Sequence, residues 1–282
     1  MTNSHAAALL AQVEKSPAAV AIHDKTAWMS IFAQYHIVED PVGSKPHVSG
    51  IYDSASGARG NAPLSRFFDT FIAPNQIAFD VKKDIVCANH VVRDLTINIQ
   101  MSEHVQAQVP MHLLYELIEE NGEWKIVRLA AHWELMPMIF QLLGKGFSCF
   151  GVLGSLTVRM LKLQGFFGML GFSKAVFNIG GVGKKSVRDF SKAFNSKKLS
   201  DLMGVFASDA DIVHWPFGEK PIHPSQLLES RTGEISLTKV MAAGDTITAS
   251  ITLKESDISK EGVAIFEFNR SLKKIAAVKI YY

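Results

Sequence analysis

The chain has 282 residues, of which 48% are apolar, 20% charged and 10% aromatic, with a net charge of +2 and only two cysteines. This much apolar material excludes a disordered chain, and glycines without a triplet period exclude a collagen-like one. A pI near 8.4 without lysines and arginines massed on one predicted helix argues against nucleic-acid binding, and Cys87 and Cys149 lack disulfide or zinc-ligand spacing, so no metal site is expected and a reducing compartment fits.

In chain order, the amino terminus has no basic residue ahead of its short apolar run. That pattern predicts no signal peptide and a cytoplasmic chain. Pro17 divides the first helix or starts a new one, and Asp24 is placed to cap a helix carrying Trp28, Ile31 and Phe32. Residues 51–60, rich in Gly, Ser and Ala, predict a flexible loop. Alternating segments at 77–81, 85–93, 95–101, 109–119 and 124–133 predict strands of one curved antiparallel sheet.

The next stretch differs in charge. Between Glu134 and Asp189 there is no acidic residue, while Lys145, Arg159, Lys162, Lys174, Lys184, Lys185 and Arg188 all lie there. Leu135 to Val158 carries Lys145 as its only charge, but Gly144, Gly146, Gly151 and Gly154 interrupt it. Three arrangements are open for 136–183: amphipathic helices on an anionic membrane surface, helices packed on the domains or in an oligomer interface, or a spanning helix. The run Gly180-Gly181-Val182-Gly183-Lys184-Lys185-Ser186 fails as a phosphate loop, because Asn178 replaces the first glycine and Lys185 the Ser/Thr. It is expected to be a hinge. Val187, Phe190 and Phe194, then Leu199, Leu202, Met203 and Phe206, mark two more helices. Strands follow at 246–253, 263–269 and 275–282, with a hairpin turn at Ala243-Gly244-Asp245.

An internal repeat organises these elements. Residues 28–46 and 202–221 share Met, Phe, Ala, Ile-Val, Pro, Gly and Lys-Pro in register, allowing one extra residue in the second. The expected fold is α+β: two cone-shaped domains, each a curved antiparallel sheet covered by helices, at 1–135 and 184–282, joined by the apolar basic insert 136–183.

The run Glu39-Asp40-Pro41-Val42-Gly43-Ser44-Lys45-Pro46, after an apolar helix ending in Phe32-Ala33, resembles the motif of bacterial ketosteroid isomerases, in the nuclear-transport-factor-2-like superfamily. Arg66-Phe67-Phe68-Asp69-Thr70-Phe71-Ile72 resembles that family's third helix. The resemblance covers most of the first copy, and the second shares only the layout. It implies a bent sheet and helices enclosing one apolar pocket, dimeric assembly, no cofactor, and Asp40 as the base that shifts a C=C double bond in a steroid-like or other cyclic apolar ligand. The family's two oxyanion donors map near Ser16 and His112, so neither is present. His112 would donate instead, with a phenol from Tyr35, Tyr52 or Tyr115.

Each candidate also has a plainer reading. Asp40 would serve as a turn-starting Asp-Pro, and His112 as a strand histidine with a satisfied hydrogen bond. Glu39 is expected to face away from Asp40 by strand alternation. Trp28, Phe32, Tyr52, Phe67, Phe71, Met111 and Trp133 would line the ligand pocket or simply form core. In the second copy Trp215 takes the aspartate's place, so that domain is expected to be non-catalytic, pairing with the first as a built-in dimer partner or binding a ligand of its own, with the chain an intramolecular pseudo-dimer or a homodimer. The alternative to an isomerase is a non-catalytic sterol or lipid carrier that docks peripherally on the inner membrane face through 136–183.

Overall fold

A computed structural model describes residues 3–49, 51–53, 58–207 and 212–282, with the side chains of 51–53, 58 and 59 left out. Helix α1 (Asn3–Ala21) buries a stripe that includes Leu9, Val13, Ser16 and Val20. It runs unbroken through Pro17, contrary to the expected division. Burial of the stripe on both sides of the proline offsets a cost of about 3 kcal/mol for proline inside a helix. Asp24 caps α2 (Lys25–Ser30), its carboxylate accepting from the Ala27 N–H at 2.9 Å. The helix ends at Ser30, and Phe32 opens strand β1 (Phe32–Glu39) rather than closing the helix.

Short strands β2 (His47–Val48), β3 (Ile51–Asp53) and β4 (Ala58–Gly60) precede α3 (Ala62–Phe67) and a π-helical turn at Phe68–Ile72. Four long strands follow: β5 (Gln76–Cys87), β6 (His90–Ser102), β7 (Val105–Glu120) and β8 (Glu123–His132). The expected strand at 85–93 is divided by a turn in which Ala88 adopts φ 51°. No glycine marks that turn, so local sequence gave no signal for it.

The acid-free stretch folds as α4 (Leu135–Leu143), α5 (Ser148–Leu163) and α6 (Gly165–Ser173). Breaks fall where Gly146 and Gly165 take positive φ, at 67° and 70°. Among the described residues no helix is long and apolar enough to cross a membrane. The glycine-rich run is not a hinge but the opening of α7 (Gly180–Asn195). A Cβ on Gly183 would lie 2.9 Å from Ile247, so that glycine permits close helix-to-sheet packing.

Helix α8 (Leu199–Val205), strand β9 (Ile212–His214), helix α9 (Leu227–Ser230) and strands β10 (Glu234–Ala243), β11 (Thr246–Glu255), β12 (Ile258–Asn269) and β13 (Lys274–Tyr281) complete the chain. Strand β10 escaped the sequence reading because its alternation breaks at a register shift between Thr238 and Met241, where Lys239 takes φ 40°.

Two compact units emerge, Met1–Asp84 with Asn89–Val176, and Ile85–Ala88 with Phe177–Tyr282. One sheet has the order β2-β1-β8-β7-β6-β5 and the other β9-β13-β12-β11-β10, so the internal repeat is also a repeat of topology. Both sheets are mixed rather than antiparallel throughout, since β1 runs parallel to β8 and β9 parallel to β13. These two strands enter from the helical layer rather than through a hairpin, which leaves them free to pair in parallel. In the core of the second unit Trp215 packs on Phe194 with ring centroids 4.9 Å apart, beside Phe190, Phe206 and Phe266.

Candidate functional site

The first unit encloses a cavity of about 260 Å³ between its sheet and its helices. That is close to the lower end of the range for small-molecule sites, roughly 300–1,000 Å³, and suits one compact ligand rather than a long chain. Strand alternation builds the wall: Val109, Met111, Leu113 and Tyr115 of β7 face the cavity, as do Val38 and then Asp40 at the end of β1. Glu39 points the other way, and Arg128 holds its carboxylate at 2.7 Å and that of Glu116 at 2.7 Å.

Asp40 has one hydrogen-bond partner of consequence. The Trp133 Nε1–H donates to its Oδ1 at 2.7 Å. Enclosure in an apolar wall penalises the carboxylate more than this bond favours it, so the Asp40 pKa rises from 3.8 to about 6. Near neutral pH the group is therefore an ionised base, yet basic enough to take a proton from carbon and hold it briefly.

The second polar group is Tyr115, which is 1% exposed, hydrogen-bonded to Ser16 and close enough to Asp40 to feel its charge. Burial is the largest influence on its phenol and pushes its pKa to about 12, so it stays protonated and is a donor at any working pH. The Trp28 Nε1–H donates to Ser16 Oγ at 3.1 Å. Ser16 still has its own proton, and when it donates this to the Tyr115 oxygen the phenolic O–H is free for the cavity. Behind Tyr115 on the same sheet, Arg93 is held by Asp84 at 2.6 Å and by Glu14. Its positive charge opposes part of the upward shift of the phenol.

Of the residues singled out from sequence, Asp40, Trp28, Phe67, Phe71, Met111 and Trp133 line this cavity. Phe32 does not. It lies in the core against Trp28, with ring centroids 5.0 Å apart. His112 is misplaced as an oxyanion donor: one residue out of phase with Met111 and Leu113, it faces the opposite side of the sheet. There it is fully buried, with Nε2 at 3.8 Å from Asp94 and its carbonyl 3.3 Å from His132 Nδ1. Tyr35 is 50% exposed, and the Tyr52 side chain lies outside the described residues. Of the tyrosines weighed whose side chains are described, Tyr115 is the one that lines the cavity.

The insert supplies what sequence reasoning did not assign to the site. Leu135, Met138, Ile139 and Leu142 of α4, with Val152, Leu153 and Leu156 of α5, cover the cavity on the helical side. The α4 residues have i, i+3, i+4, i+7 spacing, a helical stripe whose receiving surface the sequence does not show. Arg159 of α5 also lines the cavity, and its Nε has no hydrogen-bond partner among the described residues. Phe140 of α4, Phe147 just before α5, Phe150 of α5 and Phe166 and Phe167 of α6 are all exposed, Phe147 at 93%.

No protein-family model matches the chain, and no curated protein matches it. Among solved structures it is similar to the Delta 5-3-ketosteroid isomerase of a Mycobacterium species, at 22% identity and TM-score 0.37, over 46% of this chain and 95% of that one. RV0760c of Mycobacterium tuberculosis, solved in complex with estradiol-17beta-hemisuccinate, gives the same identity, TM-score and coverage. A computationally designed 17-OHP binder is 18% identical over 46% of this chain and 95% of its own, with a TM-score of 0.38.

Proposed function

We propose that the first unit binds a compact, cyclic, apolar ketone and shifts a C=C double bond by proton transfer. The observation that carries this reading is the meeting of one base and one protonated donor in a single apolar cavity. Asp40 removes a proton from the carbon between the carbonyl and a β,γ double bond. The electrons of that C–H bond move toward the ketone oxygen, where the Tyr115 O–H stabilises the dienolate. The carboxylic acid of Asp40 then returns the same proton at the γ carbon, giving the conjugated enone and restoring the carboxylate. No cofactor is required, since no electrons leave the substrate. The second unit, with Trp215 packed in place of the aspartate, takes no part in this chemistry.

The test is ultraviolet absorbance of the conjugated product formed from a β,γ-unsaturated ketosteroid. Wild-type protein should exceed the buffer rate, and Asp40→Asn should return the rate to buffer. Wild-type protein with no activity above buffer would sink the catalytic reading.

A second reading rests on the exposed phenylalanines of α4, α5 and α6. Together with the exposed Lys145, Lys162 and Lys174 and the lack of acid there, they form a surface suited to the interface of an anionic membrane. In this reading the helices that cover the cavity also dock on the bilayer, and the apolar ligand enters and leaves through it. The two readings are compatible, because one concerns the inner face of the insert and the other its outer face.

A further inference from the structure

A second recess in the first unit is unlike the cavity in its chemistry. It also has a volume of about 260 Å³, and it is lined by Ser44, Lys45, His47 and Arg66 together with the apolar Met160 and Phe172. Among the described residues that line it, none is acidic. Neither Lys45 nor Arg66 has an ion pair among the described residues. Both lie close enough to His47 to oppose its protonation. The Ser44 hydroxyl is buried, in a side chain 8% exposed, without a hydrogen-bond partner among the described residues. A buried hydroxyl left unpaired is costly, and Lys45 and Arg66 place two like charges around a His47 whose pKa is lowered to about 4. One negatively charged oxygen group would relieve both.

The recess is built by the segment that follows Asp40. A turn closed by Ser44 N–H donating to the Pro41 carbonyl at 3.0 Å sets the serine, and Lys45 N–H donates to the Gly171 carbonyl of α6 at 3.0 Å. Thus the motif that delivers the Asp40 carboxylate to one chamber delivers the Ser44 hydroxyl and the Lys45 cation to the next, and α3 adds Arg66. Phe71 and Phe172, stacked with ring centroids 5.3 Å apart, line both.

We infer that this recess is an anion-binding site for a phosphate group, formed by Lys45, Arg66, His47 and the Ser44 hydroxyl, separate from the apolar cavity. Lys45 and Arg66 neutralise the phosphate, Ser44 donates to one of its oxygens, and the apolar wall of Met160 and Phe172 accommodates any carbon chain the phosphate carries. The shared chemistry is a phosphate monoester or inorganic phosphate, so a free anion and a lipid headgroup are distinguished by the probe.

The experiment is calorimetric titration of the full chain at low ionic strength with two probes, inorganic phosphate and a water-soluble, short-chain phosphatidic acid. Binding of inorganic phosphate that weakens on the order of tenfold or more in K45Q/R66Q identifies a site satisfied by the free anion. Binding of the phosphatidic acid alone, weakened to the same degree, identifies a headgroup site. Ser44→Ala should weaken whichever probe binds, and Lys82→Gln, which removes an exposed cation that does not line the recess, should not. Wild-type protein that binds neither probe, or K45Q/R66Q protein that binds both as wild type does, overturns the assignment. Both substituted cations are exposed, and an unchanged circular dichroism spectrum confirms that the variant has folded.

Discussion

In the proposed reaction, Asp40 sets activity and stability against each other. Its folded-state pKa of about 6 lies above the ordinary 3.8, so the folded chain holds its proton more tightly than the unfolded one. The sign follows: this group favours folding below pH 3.8, and the advantage is lost as pH rises through about 6, leaving a cost of roughly 3 kcal/mol in alkaline solution. A base must be ionised to act, so kcat/KM should rise with pH through about 6 as stability falls. Asp40→Asn should therefore abolish isomerisation and raise the midpoint of denaturant unfolding at pH 8, with a much smaller gain at pH 4. An unchanged midpoint at both would show that the carboxylate is not buried at a cost. Tyr115→Phe isolates the donor: it should lower kcat by about 10²–10³, roughly 3–4 kcal/mol, with little change in the pH at which the rate rises. Asp40 was legible because a contiguous motif carries it, whereas Tyr115 was one tyrosine among three. His112 was misjudged by a phase of one residue, which in a strand is the difference between two faces.

At the scale of elements, the insert shows how a legible pattern can lack a legible partner. Its apolar spacing and its cations were plain, and the three arrangements open to it differed only in what the apolar face would meet. The structure turns one face of α4 and α5 onto the cavity and leaves phenylalanines on the other. The seating of α6 depends on Gly171, where an added Cβ would lie 2.6 Å from the Lys45 Cβ. Gly171→Ala should push α6 from the loop after Asp40, at a cost of about 1–3 kcal/mol. Thermal unfolding and the release rate of a bound fluorescent sterol would read this: an earlier transition with faster release is expected, and wild-type values for both would show that the close approach does not matter. Pro17 and Lys239 teach the converse, that burial along a stripe carries a helix through a proline and that a bulge hides a strand from alternation.

For the whole molecule, deletion of 136–183 would be a poor test of membrane contact, because the same segment forms a wall of the cavity. Substitution on the outer face is cleaner. Phe147 and Phe167 are 93% and 79% exposed and do not line the cavity. F147S/F167S should reduce co-sedimentation with anionic liposomes by at least tenfold, since each phenylalanine would contribute about 1.5–3 kcal/mol on leaving water. Retained co-sedimentation would refute docking through this face. The sequence by itself determined that there are two copies of one α+β unit, that the first alone keeps an aspartate after its first strand, and that a basic apolar segment lies between, because repeats, motifs and charge asymmetry are contiguous. Only the tertiary structure decided that the segment roofs the cavity, that Tyr115 rather than His112 faces Asp40, and that Ser44, Lys45, His47 and Arg66 ring a second recess. Those outcomes depend on strand phase and on which surfaces meet, and both are set by packing between residues far apart in the chain.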